Sequence, residues 1–100
     1  RYTLGDRALE EEVLGLFIEQ LPKTLASLKA AETAKDWYIA SHTLKGSGRA
    51  VGAWRVAECA EKAEKIDDFS NTAGRHRALK GLEEAAIEAR EFIVQLVATH

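Results

Sequence analysis

Ser41-His42-Thr43-Leu44-Lys45-Gly46-Ser47-Gly48-Arg49-Ala50-Val51-Gly52-Ala53 is the stretch whose reading decides how this chain folds. Taken as a helix from Asp36 onward at ~100° per residue, it gathers Trp37, Ile39, Ala40, Thr43, Leu44, Ser47 and Val51 on one face, the one predicted to be buried. His42 falls on the opposite side, with Tyr38 one turn before it, Lys45 three residues after and Arg49 seven after. Lys35-Asp36 is the predicted corner before this helix and Asp36 its predicted N-cap. Gly52 is its predicted end.

Working outward, the residues before the corner follow a helical stripe of Leu9, Val13, Leu16, Phe17 and Gln20. Thr3 or Asp6 is its predicted cap, after an N-terminal arm of residues 1–5 and ahead of the acidic Glu10, Glu11 and Glu12. Leu21, Thr24, Leu25, Leu28 and Ala31 continue nearly the same phase past Pro22, so the first helix is kinked or broken there. If it is broken, the proline starts the second piece, where its missing NH costs little. On the other side, Ala53 to Asp68 carries Val56, Cys59, Ala60, Ala63 and Ile66 as a narrow stripe of small residues that permits close approach to a neighbour. Phe69 to Gly74 reads as a loop. Leu79, Leu82, Ala86, Ala89, Ile93 and Leu96 then mark a helix running to the end. The expected fold is all-α, an antiparallel four-helix bundle.

Composition agrees with this and excludes other classes. One hundred residues make a single domain, 1–100, and the 46% hydrophobic and 30% charged content is that of an ordinary globular protein. Seven glycines and one proline leave room for few turns. A net charge of -2 with interspersed signs gives no basic footprint for nucleic acid. No apolar run is long enough to span a bilayer and no signal-peptide pattern is present, so the expected location is the cytoplasm. The chain begins with Arg1 rather than methionine, which allows a domain of a longer protein. Cys59 is single and forms no internal disulfide. His76 and His100 lack the spacing to carboxylates or thiols that metal sites use, so no metal is expected.

The chemistry concentrates at His42. An ordinary imidazole is mostly neutral at pH 7 and nucleophilic without a helper base, and the neighbouring cations favour that neutral form. Gly46 stands one turn after His42, where a larger side chain would lean back over the ring. An interior helix glycine costs about 1 kcal/mol relative to alanine, so its presence beside an exposed His, Lys and Arg suggests that a visitor comes close.

His42-Thr43-Leu44-Lys45-Gly46-Ser47 followed by Gly52-Ala53 resembles the signature of the histidine-containing phosphotransfer (HPt) domain family, and the likeness extends over nearly the whole chain. It implies a phosphorelay intermediate of two-component signal transduction. The Nε2 atom of His42 would take a phosphoryl group from the aspartyl phosphate of a receiver domain and pass it to another receiver. In such a transfer charge spreads over the equatorial oxygens, and Lys45 and Arg49 are placed to offset it. Gly46 and Tyr38 would belong to the receiver-docking surface. The implied partners are response-regulator receiver domains and a hybrid sensor histidine kinase. The relay is expected to be monomeric and to hold no cofactor, with Mg²⁺ only in the partner receiver. No nucleotide-binding motif is present, so no ATP-dependent kinase activity of its own is expected. Two alternatives stay open: a non-catalytic helical docking module, or the phosphoacceptor domain of a larger histidine kinase.

Overall fold

The computed structural model describes residues 7–98, which form α1 (Arg7–Lys29), α2 (Ala34–Val51), α3 (Trp54–Glu64) and α4 (Thr72–Ala98). Each helix packs on the next in sequence and α1 closes the ring against α4, giving an all-α antiparallel four-helix bundle. Phe17, Leu21 and Leu28 of α1 meet Trp37 and Leu44 of α2, Val56, Ala60 and Ala63 of α3, and Leu82, Ala85 and Ile93 of α4 in one core. The helix caps at Thr3 or Asp6, the arm of residues 1–5 and His100 lie outside the described residues.

α1 runs through Pro22 as one helix, so the chain is not divided there into two helices. The proline is exposed, and a missing NH is least costly where solvent reaches the helix. Between α1 and α2 the corner falls earlier than the sequence suggests. Thr33, not Asp36, caps α2: its side-chain oxygen accepts the Asp36 NH at 3.1 Å, and Asp36 sits inside the first turn. Both residue types cap well, and the earlier one adds most of a turn to the helix.

The buried face of α2 is also rotated from its predicted position. Trp37, Ala40 and Leu44 are buried as expected, but Ser41 and Gly48 join them, while Ile39, Thr43 and Ser47 are exposed. The reason is that α2 packs most extensively on α3, which turns its inward face toward that neighbour. Buried Ser41 satisfies its hydroxyl within the helix, donating to the Trp37 carbonyl at 2.8 Å. Gly48 makes the approach possible: a Cβ built there would lie 3.0 Å from the backbone nitrogen of Ala57 and 3.2 Å from the Ala53 oxygen.

α3 ends at Glu64, short of the expected Asp68. The Ala63 carbonyl at its end accepts both the Ile66 NH at 3.1 Å and the buried Trp37 Nε1 at 2.8 Å, a tightened turn that stops the helix. α4 in turn starts at Thr72, inside the predicted loop, because Asn71 Oδ1 accepts the Gly74 NH at 3.0 Å and acts as a cap. Trp37 packs as its size suggests, whereas Trp54 is 68% exposed at the first position of α3.

Two glycines of α2 therefore respond differently to one substitution. Gly46→Ala adds a methyl where nothing lies within 4 Å and is expected to stabilise by about 0.5–1 kcal/mol. Gly48→Ala gains the same helix propensity but presses on the α3 backbone, for an expected net loss of about 1 kcal/mol. Urea unfolding followed by circular dichroism should move the two midpoints in opposite directions.

Candidate functional site

α2 presents its outward residues from a rigidly ended helix. Gly52 adopts φ 77°, its NH donates to the Arg49 carbonyl at 3.3 Å, and the Ala53 NH donates to the Gly48 carbonyl at 2.8 Å. This Schellman closure requires a left-handed residue, which glycine adopts without a Cβ penalty. The chain then reverses into α3, so residues at similar distances from the turn face each other across the α2–α3 pair.

That reversal brings Glu64, the last residue of α3, against the middle of α2. One carboxylate oxygen lies 2.5 Å from His42 Nδ1 and the other accepts Lys45 Nζ at 2.6 Å. His42 remains open, with 58% of its side chain exposed, while Glu64 and Lys45 are 12% and 15% exposed. Lys45 is thus not a free cation on an exposed strip but a half-buried one held in the crevice between two helices. Its hydrogen bond, followed by that of His42, holds the Glu64 carboxyl below the ordinary 4.5 and outweighs the opposing effect of desolvation. Ionised, that carboxylate is an acceptor only, so His42 Nδ1 carries the hydrogen, and in the neutral ring the lone pair is then the one on Nε2.

The other predicted residues surround this centre at different ranges. Tyr38 stacks on the His42 ring, with centroids 5.5 Å apart and planes inclined by 16°. Gly46 is exposed, with open space where a side chain would stand. Arg49 lies farther along α2 and pairs with Glu61 at 3.7 Å, both side chains being well exposed. Ile39 and Thr43, assigned to the core from sequence, instead line a cleft with Thr24 and Ser27 of α1. Among the described residues no group of three or more His, Cys, Asp or Glu is arranged to hold a metal ion. No described helix is long and apolar enough to cross a membrane.

Glu64 and Glu61 are the site residues that sequence reasoning missed. The available signal was the reversal at Gly52, which sets a charged helix against α2 through a stripe of small residues. Nothing in the sequence alone fixed which carboxylate would reach His42.

The depressed Glu64 ionisation carries a sign for stability. The native state resists protonating this group, so its contribution is complete above pH 4.5 and is lost as pH falls through the lower native value. Glu64→Gln should remove that loss: wild type and variant differ most near neutral pH and converge on acidification. Urea midpoints between pH 7 and pH 3 measure the convergence.

A family model described as Hpt domain matches residues 12–98. No curated protein and no solved structure matches the chain.

Proposed function

The chain belongs to the Hpt domain family, whose general role is in phosphorelays with receiver and kinase domains, and on that footing we propose that His42 is its phosphoacceptor. The observation that carries this reading is the Glu64 contact at Nδ1, which leaves the Nε2 lone pair unshared on an exposed ring.

The reaction needs no base. The Nε2 lone pair attacks the phosphorus of an aspartyl phosphate on a receiver domain; the N–P bond forms as the P–O bond breaks, and the aspartate carboxylate leaves with the electron pair. The Nδ1 proton stays between His42 and Glu64. Transfer to a second receiver is the same exchange in reverse. A phosphoimidazole leaves readily only when its other nitrogen is protonated, so Glu64 supports both directions by holding that proton in place. Lys45, spending one of its three donors on Glu64, has others to offset charge on the equatorial oxygens. Arg49, one turn farther along, adds positive charge at the edge of the docked partner. Gly46 lets the receiver approach the ring, and Tyr38 borders the docking surface. Any Mg²⁺ belongs to the receiver.

In this reading residues 1–100 are one phosphotransfer domain acting in the cytoplasm, a stoichiometric relay between receivers and a hybrid sensor kinase. The test is to incubate the protein with a receiver charged on its aspartate and read intact mass under neutral conditions that preserve the N–P bond. A gain of one phosphoryl group supports the proposal. No gain from receivers that measurably bind would overturn it. Gly46→Ala, although the more stable protein, should transfer more slowly because its methyl stands on the donor's approach.

A further inference from the structure

We infer that Tyr38 is a positioning residue for His42: its ring stacks on one face of the imidazole and so fixes the plane in which the Nε2 lone pair points at the incoming phosphorus. The inference rests on His42 being the phosphoacceptor and concerns how its ring is aimed.

A histidine on an open helix face rotates about two side-chain bonds, and a nucleophilic lone pair is useful only when it points at the incoming phosphorus. Two contacts at right angles remove this freedom. The Glu64 carboxylate holds Nδ1 in the plane of the ring. Tyr38, one turn before His42, lies nearly parallel to that plane at 5.5 Å between centroids, an offset stack. Helical side chains lean toward the N-terminus, so the imidazole leans onto Tyr38 and away from Gly46. On the Gly46 side a Cβ would meet nothing within 4 Å. Glu64 and Tyr38 together therefore hold the ring plane, and with it the in-plane Nε2 lone pair, while the Gly46 position leaves space beside it.

The Tyr38 hydroxyl plays no visible part. Among the described residues it makes no hydrogen bond, and the side chain is half-exposed, so the ring contact with His42 is its evident engagement. The phenol face also suits the product. Once Nε2 bears phosphorus and Nδ1 keeps its proton, the imidazole ring is formally cationic, and an aromatic face attracts a cation. Glu64 and Lys45 are the charged groups touching this assembly.

A purely docking role and a positioning role separate when the donor is too small to dock. The experiment labels wild type, Tyr38→Phe, Tyr38→Ala and His42→Gln with phosphoramidate and follows intact mass over time, with circular dichroism to show that each is folded. The expected result is labelling of Tyr38→Ala about two- to five-fold slower than wild type, with Tyr38→Phe restoring the rate. In proton NMR the His42 ring resonances should move downfield in Tyr38→Ala, as the ring-current shielding is lost, and stay put in Tyr38→Phe. Equal phosphoramidate rates in all three, with slowing only toward a receiver, would overturn the inference and leave Tyr38 a docking contact. Loss of rate in Tyr38→Phe would overturn it too, since the hydroxyl would then matter. If His42→Gln labels like wild type, the phosphoacceptor assignment itself fails, a result distinct from any difference among the Tyr38 variants.

Discussion

His42→Gln is expected to take up no phosphoryl group while folding like the wild type. Glutamine has no nitrogen lone pair available to form an N–P bond, so the loss is complete rather than graded. The fold should tolerate the change for three reasons. The His42 side chain is largely exposed, glutamine forms helix at least as well as histidine, and its amide NH₂ can still donate to Glu64, leaving no carboxylate stranded. Intact mass after incubation with a charged receiver reads the first half of the claim. A urea midpoint equivalent to within about 1 kcal/mol of wild type reads the second. A variant labelled to the wild-type level would place the phosphorylated nitrogen elsewhere in the chain.

Trp37→Ala should give the largest change in stability, about 3–5 kcal/mol. Trp37 is 1% exposed and among the largest fully buried side chains. Its removal leaves a cavity at the end of the α2–α3 pair remote from Gly52 and deletes the 2.8 Å bond from Nε1 to the Ala63 carbonyl. Against a typical domain stability of about 5–15 kcal/mol, the variant would be marginal at room temperature. Trp37→Phe separates the two losses. It keeps much of the bulk, and the Ala63 carbonyl keeps its Ile66 partner, so a milder cost of about 1–2 kcal/mol is expected. Ala63 immediately precedes Glu64, so Trp37→Phe should also loosen the carboxylate against His42 and slow transfer in a protein that is still folded. Denaturant titrations by circular dichroism and transfer rates on the same samples test both statements. A Trp37→Ala protein as stable as wild type would show that the α2–α3 contact does not rest on this side chain.

These two residues also show how far the sequence could be read. That His42, Tyr38, Gly46 and Arg49 share the outward side of α2 follows from the helical period alone, and the stop at Gly52 follows from the freedom of glycine to take a left-handed conformation. The four helices follow from apolar spacing. Periodicity does not say toward which neighbour a face turns, however. Helical period alone puts Ile39 and Thr43 on the apolar stripe, and in the fold they line a cleft with α1 residues instead. The bundle turns α2 toward α3, where Gly48 and the small residues of α3 allow the closer packing. Local chemistry likewise points to Asp36 as the cap, and only the folded chain shows that Thr33 takes that place. Glu64 was beyond reach because it is 22 residues from His42 in sequence and meets it only through the register of the α2–α3 reversal. The chemistry of the proposed phosphoacceptor is local and legible, whereas the carboxylate against its Nδ1 is tertiary and is not.

The pairing of Lys45 with Glu64 and of Arg49 with Glu61 has a consequence for how partners meet. Seen from beyond a Debye length of about 8 Å, each of these cations is cancelled by its carboxylate, and these pairs project little field into solution. These four charges therefore add little electrostatic steering and little ionic-strength dependence to an encounter at this face. In the proposed role, such a domain gains speed chiefly by being kept close to its partners, through tethering or high local concentration.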